Sequence, residues 1–412
     1  MSFESDRQIL RELGKTIAEI AALPMQQQTK RQWVALNGLR PERPMFMIDQ
    51  IPWHEMNTGG ELDLLCEDEL CRGIEQGMRR TLYKWNHMRD DSVVEAAVNI
   101  PKAIMGLDFG ISANETVLAL DAENDVISHH YADQLQNWDD LEKIKTPEIR
   151  LDEQTTARRV GMAHEIFDGI LEVRPMGYLP NFAPWDRISQ WRGVENPLMD
   201  LVDRPDFIHA TMERITTVNL RLLDQLEEKG LLAFDLSLIH CTGAWSDELP
   251  AVGFDPLKPR ARDIWTSGMA QMFSSVSPAM HEEFEIEYAK RWYERFGLVY
   301  YGCCEPLDRK IGIIRKLPHV RKISMSPWSH KERGAEAIGG DFVFSNKPNP
   351  ALLVATSFTT EHAENELRAT YAACKKHGCP VEFILKDIST VQYEPQRLWQ
   401  WAQMARRFVE NA

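Results

Sequence analysis

Apolar residues recur at spacings of three and four from Asp6 to about Leu23 and again from Gln26 to Leu36, which predicts two helices broken apart at Pro24. After Pro41 and Pro44 the pattern changes, and Met45-Phe46-Met47-Ile48 reads as a short buried strand ending near Asp49. Runs of the same kind follow at Gly169 to Pro175, Leu231 to His240, Leu298 to Cys304, Lys322 to Ser326, Asp341 to Ser345 and Val381 to Ile388. Helical patterns lie between most of them, at Pro205 to Lys229, Pro278 to Phe296 and Glu361 to His377. Such alternation implies a parallel sheet with crossover helices, and seven strands over roughly 350 residues suit a closed (β/α)8 TIM barrel better than an open sheet. No GxGxxG follows any of the strands, which argues against a dinucleotide-binding sheet. Residues 1–44 then form an N-terminal helical extension, and residues 52–165, rich in Trp, His and acids, supply helices and insertions over the barrel mouth. No repeat, low-complexity stretch or Gly/Ser linker divides the chain, so 1–412 is expected to be a single domain.

The composition narrows the class. With 43% hydrophobic residues, 12 Trp and 16 Phe the chain can bury a large core, and no segment approaches the roughly 18 uninterrupted apolar residues of a membrane span. A net charge of -15 works against nucleic acid and against anionic membrane surfaces. The polar N-terminus MSFESDRQILREL has no apolar signal core, and seven scattered Cys in a chain of this size need no disulfides, so a cytoplasmic protein with reduced thiols is expected.

In barrels of this type chemistry sits at the carboxyl ends of strands. Two strand ends carry zinc-type ligands: LIHCTGAW at 238–245 offers His240 and Cys241, and YYGCCEPLD at 300–308 offers Cys303, Cys304 and Glu305. Consecutive strand residues face opposite ways, so only one of each adjacent pair is expected to point inward unless the strand has already ended. None of the generic zinc spacings is present, and spacing alone favours the plainer reading of small buried thiols and a hydrogen-bonded His. Asp49, Glu55, Glu305 and Asp387 are carboxylates placed for proton transfer or for structural pairing, as Asp387 with Lys386. Trp53, Trp185, Trp245 and Trp328 either wall a flat ligand or fill the rim of the core. The His129-His130-Tyr131 stretch lies outside any clear strand, Cys66 and Cys71 read as incidental thiols, and Cys374 and Cys379 fall at the wrong end of a barrel to be ligands.

Three segments, LRPERPMFMIDQIPWHE, LVYYGCCEPLDRKIGIIRKLPHVRKISMSPWSHKERGAEAIGGDFVFSNKPNPALL and VEFILKDISTVQYEPQRLWQWA, resemble the uroporphyrinogen decarboxylase-like superfamily of (β/α)8 barrels over nearly the whole chain. That superfamily holds tetrapyrrole decarboxylases and zinc-dependent corrinoid or coenzyme M methyltransferases. Where the decarboxylase has an arginine that holds substrate carboxylates, this chain has Asp49. Where the methyltransferase branch has His-x-Cys-Gly, this chain has Tyr301-Gly302-Cys303-Cys304, which keeps the Cys and replaces the His, and the later Cys ligand falls near Thr356-Ser357-Phe358.

The resemblance implies a methyltransferase that moves a methyl group from a small methylated donor, a methoxylated aromatic or a methylamine, to a corrinoid on a partner protein, with zinc as Lewis acid. On that reading Cys303, His240 and Glu305 are the metal ligands and Asp49 and Asp387 handle protons. Trp53, Trp245, Tyr301 and Trp328 then contact substrate. The alternatives are a metal-free decarboxylase or lyase, with Asp49 moving protons and Arg174 and Lys347 binding carboxylates, and a barrel that only binds a corrinoid or tetrapyrrole.

Overall fold

The computed structural model describes residues 3–118 and 128–412. Its centre is an all-parallel sheet of six strands: β1 (Met45–Ile48), β2 (Trp265–Gly268), β3 (Leu298–Tyr301), β4 (Val320–Met325), β5 (Val343–Asn346) and β6 (Val381–Leu385). Their order, β1-β6-β5-β4-β3-β2, steps to an adjacent neighbour at each crossover after β2, so the sheet is wound in one direction as half of a barrel. Irregular chain continues both edges. The Asp91 amide donates to the Phe46 carbonyl beside β1, and the Phe182 amide donates to the Ser267 carbonyl beside β2. These contacts are compatible with closure of the barrel, but the regular parallel ladder spans six strands.

Side-chain alternation splits the sheet into two faces. Phe46, Ile48, Val299, Tyr301, Ile323, Met325, Phe344, Phe383 and Leu385 pack in the larger cluster with the crossover helices. Met45, Met47, Trp265, Leu298, Tyr300, Val343 and Ile384 pack on the other face with Trp33, Cys241 and Trp245. Strands buried on both sides read as continuous apolar runs, which is why they are visible in the sequence. The crossover helix Pro205–Glu228 shows the complementary logic. Pro205 stands in the first turn, where its missing N–H costs nothing, and Phe207, Ile208, Met212, Ile215, Leu222 and Leu226 recur at helical spacing and are all buried. Each such side chain contributes roughly 1.5–3 kcal/mol.

Several expected elements shift. Phe3–Ala21 and Pro24–Asn37 are helices, with Pro24 opening the second. The 278–296 helix contains a π-turn at Glu282–Ile286. The expected strand from Leu231 to His240 is not one: a single parallel bridge joins Leu232 to Tyr178, and Leu238–Ile239 turns back on Thr242–Gly243 as a short antiparallel hairpin. Trp265–Gly268, which carries Thr, Ser and Gly, is a strand that the apolar pattern does not reveal. Within 52–165, Ala97–Pro101 pairs parallel with Glu172–Met176, and helices Glu69–His87 and Glu153–Phe167 start on the side-chain caps Asp68 and Asp152. His129, His130 and Tyr131 lie on a hairpin with Glu115–Leu118, His129 and His130 exposed, and residues 119–127 lie outside the described residues. Among the described residues no helix is long and apolar enough to cross a membrane.

Candidate active site

Both sulfur motifs sit just past the regular structure that introduces them, so adjacent residues are freed from the alternation of a strand. His240 and Cys241 are the two turn residues of the 238–243 hairpin, and His240 has φ +54°, the left-handed conformation such a turn demands. β3 ends at Tyr301, and Gly302, at φ +94°, turns the chain into a position where a Cβ would meet Leu307 at 2.5 Å. Cys303 and Cys304 follow on that turn. Asp387 and Gln50, just beyond β6 and β1, also have positive φ (+57° and +48°), and the Asp387 amide donates to the Gln50 side-chain carbonyl at 3.1 Å. Three of the seven non-glycine residues with positive φ among the described residues thus lie around one spot at the strand ends.

The side chains converge. Lys386 Nζ lies 3.0 Å from Cys303 Sγ and 3.9 Å from Cys304 Sγ, and the two sulfurs are 3.4 Å apart. The Cys304 thiol donates to Asp387 Oδ2 at 3.1 Å. His240 Nδ1 is 3.0 Å from Cys241 Sγ, and its ring stacks on Tyr300 with centroids 5.2 Å apart and planes within 9°. The Tyr300 hydroxyl in turn accepts from Lys347 Nζ at 2.6 Å, and Lys347 also donates to Ser345 Oγ at 2.9 Å.

Charge follows geometry. The neighbouring Cys304 thiol, then His240 and Lys386, hold Cys303 far below an ordinary thiol in spite of burial, and Cys304 is pushed up by the same pairing. Burial opposes ionisation of Cys241, yet Lys347, His240 and Lys386 bring it down. Burial would neutralise His240, but its contacts with Cys241 and Cys303 raise it to about 9. Lys386 is likewise raised, the thiolates outweighing burial. The result is an imidazole and an amine that favour their charged forms beside two sulfurs, Cys241 and Cys303, that are drawn towards the thiolate. Asp186, pushed up by burial, holds Gln271 at 2.9 Å and feels both Cys303 and His240.

The other expected residues occupy different places. Glu305 is fully buried, raised to about 7 by burial, and its oxygens accept from the amides of Ala270 (3.2 Å) and Cys303 (2.9 Å), so it braces the loop that carries the sulfurs. Among the described residues no group of three His, Cys, Asp or Glu side chains is arranged to hold a metal ion, and the ammonium of Lys386 stands against Cys303. Asp49 follows β1, its amide bonded to the Leu385 carbonyl at 2.9 Å. Tyr301 lies on the helix-facing side of the sheet, bonded to His281 and Glu285 at 2.8 Å each. Trp245 packs beside the strand starts with Lys30 3.8 Å above its ring, and Trp53 packs edge-on against Tyr83. Trp185 is fully buried, whereas Trp328, in the loop after β4, is 76% exposed at the rim. Glu55 accepts from the amides of Val391 and Tyr393 and ties down the loop after β6. Arg174 is paired with Glu95 and Glu172 at an open groove of about 860 Å³ that holds none of the sulfur residues.

Lys386 is central although sequence reading treats it only as a partner for Asp387, and Tyr300, Asp186 and Gln271 escape it altogether. A lysine closing the VEFIL run on the parity of Glu382 and Ile384 is the signal that could have found the first. Asp186 and Gln271 come from separate elements and leave no local pattern.

The fold and the site define an α/β protein with a parallel half-barrel and a sulfur-rich, cationic cluster at the strand ends. Over 92% of this chain and 98% of its own, a methyltransferase from Methanosarcina mazei has a similar structure, with a TM-score of 0.50 at 12% sequence identity. That likeness establishes a shared fold. No protein-family model and no curated protein matches the sequence.

Proposed function

We propose that the chain is an enzyme, a methyltransferase that takes a methyl group from a small methylated donor and yields it to a corrinoid presented by a partner protein. The observation that carries this reading is the pairing of His240 and Lys386 with the sulfurs of Cys241 and Cys303 at the carboxyl ends of the strands, where barrels of this kind place their chemistry. The shared architecture with a methyltransferase supports it.

When a methyl group leaves an oxygen or nitrogen, that atom keeps the bonding pair and becomes basic. His240, protonated at neutral pH by its thiolate neighbours, supplies a proton there, while Tyr300 fixes the plane of the ring. Lys386 compensates developing negative charge beside Cys303. Trp328, exposed on the rim, offers a flat surface to an aromatic donor or to the arriving partner. A corrinoid docked there would supply the nucleophile that accepts the methyl group. Zinc, implied by the family resemblance, does not fit the cluster as arranged, because the Lys386 ammonium stands against Cys303 and the His240 ring against Cys241.

The test is methylation of cob(I)alamin, followed by its visible spectrum, with panels of methoxylated aromatics and methylamines. Turnover with at least one donor, reduced in His240→Ala, is expected, and no turnover with any of them overturns the reading. Plasma mass spectrometry of protein purified without chelators decides the metal question. About one zinc per chain, lost in Cys303→Ser, would replace the lysine contact as the resting arrangement.

A further inference from the structure

Cys303 and Cys304 have a geometry that methyl transfer does not use. Their sulfurs are 3.4 Å apart on a loop outside the strand, against roughly 2.0 Å for a disulfide bond. Each sulfur has its own proton-handling partner: the Lys386 ammonium 3.0 Å from Cys303 and the Asp387 carboxylate 3.1 Å from Cys304. Cys304 is partly exposed, whereas the remaining cysteines are all buried. The pair therefore combines a sulfur held beside a cation, an adjacent thiol with a base, and access from solvent.

We propose that Cys303 and Cys304 form a reversible oxidation site that closes into a vicinal disulfide when a hydroperoxide reaches the strand ends. The Cys303 thiolate attacks the terminal oxygen of the hydroperoxide; an S–O bond forms, the O–O bond breaks, and the departing oxygen takes a proton from Lys386. Sulfur is oxidised and the peroxide is reduced to an alcohol, or to water for hydrogen peroxide. Cys304 then passes its proton to Asp387 and attacks the Cys303 sulfur; the S–S bond forms, the S–O bond breaks, and the leaving hydroxide recovers that proton as water. A thiolate and a thiol, with the proton from Lys386 and one hydroperoxide, become one disulfide, one alcohol and one water. A dithiol reverses the change by exchange. Closure takes the thiolate charge of Cys303 away from Lys386. This inference does not depend on the methyl-transfer reading, since its readout is the mass of the chain itself.

The test treats the full chain with a small excess of hydrogen peroxide, blocks free thiols with N-ethylmaleimide and digests with trypsin. The peptide Phe296–Arg309 carries Cys303 and Cys304 and no other cysteine. It is expected unlabelled and lighter by two hydrogens, and doubly labelled again after dithiothreitol. In Cys304→Ser, Cys303 is expected as a sulfenic acid that dimedone traps. Asp387→Asn, which keeps a side chain tolerant of positive φ, is expected to slow closure severalfold. A wild-type peptide that still labels at both positions overturns the proposal, as does Cys303 passing to sulfinic acid while Cys304 still labels. The wild-type result stands without the variants should one fail to fold.

Discussion

Two lysines on the inner face of the same sheet behave in opposite ways. Lys322, near the start of β4, is fully buried and donates to Glu382 at 2.7 Å, to Thr242 Oγ1 at 3.0 Å and to the Gly243 carbonyl at 2.9 Å. Three protons meet three acceptors, and Thr242 donates onward to Glu382 Oε2 at 2.8 Å, so the ammonium is saturated. Burial pulls Lys322 down from its ordinary pKa and Glu382 pulls the other way. Lys386, four residues beyond Glu382 on the same face, faces two sulfurs and, at 3.6 Å, Asp387, and it is pushed up. Sulfur is a soft partner and Asp387 is open to solvent, so an incoming molecule can replace these contacts. A lysine saturated by oxygen near the strand starts stabilises the sheet; one left on sulfur at the strand ends remains available for chemistry.

The sharpest way to break this contrast is Lys322→Met. Glu382 would be left buried without its cation, and stability is expected to fall by about 3–5 kcal/mol in chemical denaturation, much of it recovered by adding Glu382→Leu. At the other cluster, His240→Asn keeps a residue tolerant of positive φ and should leave stability within about 1 kcal/mol, while turnover in the cobalamin assay drops about 100-fold or more.

Lys386→Met tests the thiolate. Because the pKa of Cys303 is depressed, its ionised form persists as pH falls below the ordinary thiol value of about 8.5, and its alkylation by iodoacetamide should be nearly flat from about pH 6 to 8. In the variant, a steeper rise towards about tenfold per pH unit is expected, read on the Phe296–Arg309 peptide. The smallest effect belongs to Thr242→Val, which loses one donor and one acceptor around Lys322; about 1–2 kcal/mol of stability is expected to go, with turnover unchanged.

What the sequence made legible follows from local physics. The Met45–Ile48 strand is read to the residue, because its apolar side chains pack on both faces, and Pro205–Glu228 lies in plain view because Pro and an amphipathic period mark it. Trp265–Gly268 is hidden, since Thr266, Ser267 and Gly268 are bonded or crowded by residues distant in the chain, such as Pro180, Phe182 and Tyr293. At the site, the sulfur and imidazole groups of His240, Cys241, Cys303 and Cys304 stand out as residue types. Their pairing with Lys386 does not, because it requires both motifs to leave regular structure so that neighbours can point the same way. Tyr301 and Trp245 show the converse: each has the right residue type near the right strand, but side-chain parity and the hairpin carry them to other surfaces.

The backbone at Gln50, His240 and Asp387 has a consequence for how the chain would drift under different selections. Glycine would relieve the left-handed conformation at each position, typically by a few tenths of a kcal/mol to about 1 kcal/mol. A library selected for heat tolerance alone should therefore accumulate glycine at positions 50, 240 and 387, while one selected for turnover should retain His240 and Asp387. Side by side, the two lineages would record which strained positions the protein keeps for its chemistry.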